Sequence, residues 1–309
     1  MSVQEHSSLV AAAAPEPVVP QPVANEAAPH LSVGHASVTY EAGVRHGDAW
    51  AWLREIVRYR DLLYMLAWRD IRVRYKQTLM GLLWAILMPA AIIVAGVVVR
   101  LAMARAADKP LSMQDLTPVF VKSVAWAFFV ASVRSGTTCL INNSNLVTRI
   151  YFPKLIFPLS TVLGNLFDFG VASCVLVVIL AFSGVTVSSA FLWLPALIIL
   201  LVALTSALAI FLSAAALFLR DVKYLVEVFV MFAIFITPVF FSASIFGSWK
   251  WVLLINPVAP ILEGLADTVV FARAPDLFWL SYSATLSLVG FGLAVKFFRR
   301  LEGLFAECI

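Results

Sequence analysis

From Phe169 to Leu219 the chain runs for 51 residues without a single Asp, Glu, Lys or Arg, relieved only by a Ser/Gly/Thr turn near Ser183. A lipid-spanning helix needs about 20 apolar residues to cross about 30 Å of hydrocarbon, so this run holds two spans and their connection. Charge-free windows recur at Gln77–Val99 and Leu277–Val295. Charged residues are 13% and hydrophobic residues 62% of the 309, against roughly 25% charged in soluble domains. The pattern predicts an all-α integral membrane protein that crosses the bilayer several times.

The positive charges set its orientation. Of the 22 Lys and Arg, most fall into clusters that six spans place on one side. Before the first span stand Arg45, Arg54, Arg58, Arg60, Arg69, Arg72, Arg74 and Lys76. The same side then receives Arg149, Lys154, Arg220, Lys223, Lys296, Arg299 and Arg300. Arg100, Arg105, Lys109, Lys122, Arg134, Lys250 and Arg273 fall within spans or on the far side. Cytoplasmic loops carry the excess of Lys and Arg, so both termini are expected in the cytoplasm and the number of crossings is even.

Residues 1–48 differ in composition from everything that follows. Pro15, Pro17, Pro20, Pro22 and Pro29 punctuate Ala, Val and Glu with no periodic apolar face, which predicts a disordered cytoplasmic tail. Neither the basic lead nor the unbroken apolar stretch of a signal peptide is present. Over residues 49–76, Leu53, Ile56, Val57, Arg60, Leu63, Tyr64 and Ala67 share a helical face, with Trp50 and Trp52 at one end. A basic amphipathic helix of this kind lies at the membrane interface, packs on a partner protein, or does both.

The transmembrane region, 77–309, divides into six expected spans near 78–100, 118–143, 159–182, 191–218, from Tyr224 onward, and 277–297. Between the last two, Pro238 interrupts the apolar run, Gly247-Ser248 breaks it, and Asn256-Pro257 restarts a helix with an N-cap and a proline at its first turn. The pieces 238–246 and 251–271 are too short or broken for further spans. They are expected to be re-entrant helices on the external side, since irregular backbone at membrane depth is tolerated where protein or a water-filled cavity satisfies it.

Motifs for energy conversion are missing. None of the seven lysines follows a glycine, so the GxxxxGK[ST] phosphate loop is absent. No HExxH, GxSxG or dinucleotide fingerprint occurs, and no metal or catalytic residues are expected. Cys139, Cys174 and Cys308 are dispersed and read as small apolar residues. An ATP-driven process would require a second polypeptide on the cytoplasmic face.

Five stretches, in order, carry a recognisable pattern: Ala67–Pro89 (AWRDIRVRYKQTLMGLLWAILMP), Ala125–Phe129 (AWAFF), Asn145–Lys154 (NLVTRIYFPK), Arg220–Leu225 (RDVKYL), and Thr237-Pro238-Val239 followed by Asn256–Gly264 (NPVAPILEG). Together they resemble the type-2 ABC exporter permeases, in the branch that exports polysaccharides and polyol phosphates (O-antigen, capsule, teichoic acid). The resemblance covers about residues 55–309. It departs at Met88, where the family commonly has Gln before the proline.

The resemblance implies a permease of the bacterial inner membrane in which two copies of the chain work with two separate ATPase subunits. ATP and Mg would be bound by those subunits and no cofactor by this chain. The substrate would be a lipid-linked polysaccharide or polyol phosphate, with membrane lipids as neighbours and no nucleic acid. Arg149, Tyr151, Phe152, Pro153 and Lys154 would form the coupling segment in a groove of the ATPase. Asn256, Pro257 and Glu263 would belong to an external gate, Glu263 holding a gate helix through backbone N–H groups or facing the exit.

Other candidates come from the residues themselves. Sugars present polar edges and apolar C–H faces, so aromatic residues suit a conduit. Trp126, Phe129, Phe229, Phe232 and Phe240 are the candidates for the path, though aromatics also fill lipid-facing and packing positions. Intramembrane charges are costly and usually paired or functional. Arg134 and Asp168 lie 18 and 16 residues from Phe152 on adjacent antiparallel spans, and are expected to pair as a clamp or to contact a substrate phosphate; Arg134 could instead snorkel. The cluster Arg69, Arg72, Arg74 and Lys76 suits anionic headgroups or a substrate pyrophosphate. Rival functions are export of small hydrophobic compounds, an integral membrane glycan-lipid enzyme, and secondary transport. The enzyme would need clustered carboxylates that the sequence lacks.

Overall fold

The computed structural model describes residues 51–76, 83–108, 110, 112–149, 152–183 and 188–305, and every regular element among them is helical. The expected tail over 1–48 lies outside the described residues. In chain order the helices are α1 (Ala51–Arg58), α2 (Arg60–Lys76), α3 (Leu83–Ala106), α4 (Met113–Asn142), α5 (Ser144–Arg149) and α6 (Ile156–Phe182). There follow α7 (Leu194–Phe218), α8 (Val222–Ile236), α9 (Lys250–Leu254), α10 (Val258–Val269) and α11 (Leu277–Leu301).

Among the described residues five helical segments are long and apolar enough to cross a membrane: α3, 115–142 within α4, α6, α7 with the 3₁₀ turn before it, and α11 with the turn after it. They coincide with five of the six expected spans. The remaining one is α8, whose 15 residues extend only about 22 Å at 1.5 Å per residue. Its helix ends before Thr237-Pro238, because proline cannot donate to the helical ladder and restricts the residue before it.

α4 stands at the centre, against α6 and α7, with α3 and α10 also on it; α11 lies along α7, and α2 along α6. Close approach of α4 and α7 depends on small residues. A Cβ added at Gly136 would stand 2.6 Å from Ala209 Cβ and 3.2 Å from Ala209 Cα. Small residues at helix crossings let backbones approach where apolar burial gives no advantage over lipid. Two hydroxyls in this interior turn back on their own helices, Thr137 donating to the Val133 carbonyl at 2.7 Å and Thr205 to that of Leu201 at 2.6 Å.

α1 and α2 form nearly one rod, because Tyr59 N–H donates to the Glu55 carbonyl and Leu63 N–H to the Tyr59 carbonyl, both at 3.0 Å. The rod carries two apolar stripes where the sequence suggested one. Ile56, Tyr59, Leu63 and Leu66 join the core, whereas Val57, Tyr64 and Trp68 point outward. A helix between a membrane and a protein needs both.

Candidate functional site

The segment expected to couple to an ATPase, residues 149–154, falls where the chain turns between α5 and α6. Tyr151 lies outside the described residues, and Arg149 closes α5. Phe152 is half-buried against Phe157, their ring centroids 5.3 Å apart. Pro153 accepts from Ile156 N–H at 3.2 Å, starting α6. Lys154 faces the opposite end of the chain. Its N–H donates to Glu302 Oε1 at 2.7 Å, its Nζ reaches the Glu302 carbonyl at 3.4 Å, and the same Nζ lies 5.7 Å from the Phe305 ring centroid. Phe305 is buried against Phe298, and Arg299 pairs with Glu55 of α1. The amphipathic rod, the coupling segment and the end of α11 thus share one apolar cluster with Leu140, Ile156, Ile210 and Phe298. Residues 152–155 pack in one cluster with α1, α6 and α11.

Asp168 does not pair with Arg134. It takes Arg74 of α2 as its ion-pair partner and the Tyr75 hydroxyl as a second donor. Arg74 also donates to Asn165 Oδ1 at 3.1 Å, and Asn165 Nδ2 donates to Ser135 Oγ at 2.8 Å. The expected turns do stand side by side, since Ser135 of α4 meets Asn165 of α6. Azimuth separates the two charges: with 3.6 residues per turn, adjacent residues differ by about 100°, so Ser135 faces α6 while Arg134 faces outward. Arg134 is exposed and makes no ion pair among the described residues. Burial, and then the Asp168 carboxylate, push the Tyr75 phenol above its ordinary range, so it stays a donor to Asp168. Asp168→Asn is expected to lower stability by about 1.5–3 kcal/mol, the range for a hydrogen bond to a charged group, with partial recovery in Arg74→Asp/Asp168→Arg. Arg134→Gln should leave the melting temperature unchanged in detergent.

The aromatic candidates divide. Trp126 and Phe129 stack with centroids 5.3 Å apart and are 2% and 6% exposed, so they pack inside the chain and line no path in this conformation. Phe240 is also buried, against Gly96 of α3. Phe229 and Phe232 are 70% and 56% exposed. α8 is anchored by the narrow stripe Val226, Val230 and Ala233, which leaves these two rings on its uncovered face.

The external candidates come together around a residue to which the sequence assigned no role. Lys122 of α4 is 1% exposed and pairs with Glu263 Oε1 at 2.9 Å. It also donates to the Phe241 carbonyl at 3.1 Å, and Glu263 Oε1 accepts from Ala243 N–H at 2.7 Å. Glu263 therefore holds the broken segment through a backbone N–H, with a lysine as counter-ion. Asn256 Nδ2 donates to Thr237 Oγ1 at 2.9 Å, its Oδ1 accepts from Val258 N–H at 3.2 Å, and the Pro257 carbonyl accepts from Ser283 of α11 at 2.8 Å. The breaks fall at Pro238, at Gly247 with φ +53°, and at Asn256-Pro257. The signal for Lys122 was present: a lone lysine among apolar residues of a span is worth a partner search. Beside this network lies a cleft of about 420 Å³ lined by Lys250, Asp267, Arg273 and Trp279. Among the described residues no group of His, Cys, Asp and Glu could hold a metal ion.

Comparison with known proteins supplies the chain's relatives. An O-antigen export system permease protein RfbA of Klebsiella pneumoniae is 25% identical over 252 residues, 81% of this chain and 95% of its own length. The protein of the same name from Myxococcus xanthus is 26% identical over 262 residues, 83% of this chain and 98% of its own. A second from Klebsiella pneumoniae is 27% identical over 259 residues, 81% and 95% of the two chains. The ABC-2 type transporter profile matches residues 61–270, from within α2 to the end of α10, and the chain belongs to that family.

Proposed function

We propose that this chain is the permease subunit of an ATP-driven exporter that moves a lipid-linked polysaccharide or polyol-phosphate polymer out of the cytoplasm across a bacterial inner membrane. The observation that carries this reading is the likeness to three O-antigen export permeases over 95–98% of their lengths. Two copies of the chain work with two ATPase subunits, which bind ATP and Mg. The chain crosses six times, α8 included, with both termini in the cytoplasm beside the basic clusters. Ser283 lies six residues, about 9 Å, inside α11 and reaches Pro257, which supports α10 as a re-entrant helix.

In this mechanism ATP-driven closure presses on residues 149–154. The Lys154–Glu302 contacts and the Arg299–Glu55 pair pass the motion to α11 and the amphipathic rod. A second copy faces the uncovered apolar sides of α3 and α8, and Phe229 and Phe232 offer platforms for sugar faces between the copies. Polymer leaves past the gate held by Lys122 and Glu263. The test is co-purification of the complex from detergent. An ATPase subunit is expected to accompany the chain, and Phe152→Asp with Lys154→Glu is expected to remove it and stop appearance of polymer at the cell surface. A chain that exports polymer with no ATPase bound overturns the reading.

A further inference from the structure

α7 and α11 lie side by side, yet their outer faces leave a concavity of about 570 Å³ between them. Its walls are apolar: Leu204, Leu208 and Phe211 of α7, spaced i, i+4 and i+7, face Leu286, Gly290 and Leu293 of α11. Phe211 meets Phe297 with ring centroids 5.1 Å apart, and these rings form the floor near one end. At that end stand Lys296 and Arg300, one turn apart on α11 and both exposed. Neither makes an ion pair among the described residues, and no carboxylate lines the groove.

The dimensions select an occupant. From Leu286 to Arg300 is fourteen residues, about 21 Å of helix. One leaflet contributes about 15 Å of hydrocarbon, and the remainder reaches the headgroup layer. A groove that is greasy for one leaflet and doubly cationic at its rim matches an amphiphile with an acyl chain and a phosphate. A flat helix pair would meet annular lipid without preference, and two surface cations without a groove would take any anion. We infer that the α7–α11 groove is a binding site for one anionic phospholipid of the leaflet on the basic side, its acyl chain between Gly290 and Leu208 and its phosphate on Lys296 and Arg300. Pro257 of the gate segment also lines the groove, but the phosphate contacts at Lys296 and Arg300 and the acyl contacts at Gly290 and Leu208 use neither the Lys122–Glu263 pair nor the exposed face of α8, so their failure leaves the export reading standing.

Gly290 makes the site testable without damaging the fold, because a Cβ built there meets nothing within 4 Å. Native mass spectrometry of the detergent-purified full chain, titrated with phosphatidylglycerol and phosphatidylcholine, is the experiment. Phosphatidylglycerol should bind preferentially. Lys296→Ala/Arg300→Ala should weaken it about thirty-fold, each cation contributing roughly a five-fold preference, with phosphatidylcholine unaffected. Gly290→Phe should abolish the preference while the melting temperature without lipid stays unchanged. Equal binding of the two lipids overturns the proposal, as does undiminished binding to Gly290→Phe. Inorganic phosphate competing as well as phosphatidylglycerol would make the rim a plain anion site. Loss of self-association in Gly290→Phe would make the groove a contact between copies, and displacement of phosphatidylglycerol by a polyprenyl diphosphate at equal concentration would assign it to the cargo's anchor. Each of these also overturns the proposal.

Discussion

Lys122→Met is expected to lower the stability of the permease by about 3–5 kcal/mol, the effect of leaving one member of a buried ion pair without its partner. Glu263 is 17% exposed at its side chain, and it would keep only the Ala243 N–H and a 3.5 Å contact to Ser242 Oγ. Glu263→Gln takes away the paired counter-ion instead, leaving the Lys122 ammonium with neutral acceptors, the Phe241 carbonyl and the amide oxygen. The double variant Lys122→Met/Glu263→Gln should recover more than half of the loss, since replacing both ions removes the desolvation that makes the single changes severe. Thermal unfolding of the four proteins in detergent forms the cycle. Single variants each as stable as the parent would mean that the pair does not anchor the gate. Transport separates anchoring from passage: the double variant, stable but lacking its electrostatic latch, should export at reduced rate and leak small ions.

The second large effect is expected at Gly136. Its missing Cβ would stand 2.6 Å from Ala209 Cβ and 3.2 Å from Ala209 Cα, and the latter is backbone that no rotamer change can move. Gly136→Leu must separate α4 from α7, the two helices on which the interior rests. Overpacking in a tight core costs about 1–3 kcal/mol and occasionally more; a backbone collision puts this site at the upper end. The expected readout is loss of the monodisperse peak in detergent and strongly reduced yield. Gly136→Ala should show a smaller loss of the same kind, and Ala209→Gly in that background should relieve it by removing the methyl 2.6 Å from the new Cβ. A Gly136→Leu protein that purifies normally would show that the helices have room to part.

Helix positions were legible because lipid imposes a length and an absence of charge together. The expected span 159–182 is α6 at Ile156–Phe182, and 277–297 is α11 at Leu277–Leu301. The breaks at Pro238, Gly247 and Asn256-Pro257 were legible for local reasons, a missing N–H and a positive φ. Partnership was not. Asp168 and Arg134 sit at comparable depth, but which way each side chain points depends on how α2 folds back along α6. Nothing in a linear spacing marks Arg74 and Tyr75 as the residues that arrive there. Nor does an apolar helix declare which ring faces the interior: Trp126 and Phe129 are core, and Phe229 and Phe232 are outside, although all four read alike as aromatics in spans. The amphipathic rod shows the same limit, its two stripes merging into one broad face when only periodicity is available.

The latch between Lys122 and Glu263 joins residues 141 positions apart. At 5–20 residues per second, synthesis of the intervening chain takes roughly 7–28 s. For that interval α4 carries a lysine whose carboxylate partner, and the Phe241 carbonyl beside it, have not yet been made. The contact that ties α4 to α10 is therefore among the late ones to form, and a chain stopped before Glu263 lacks it.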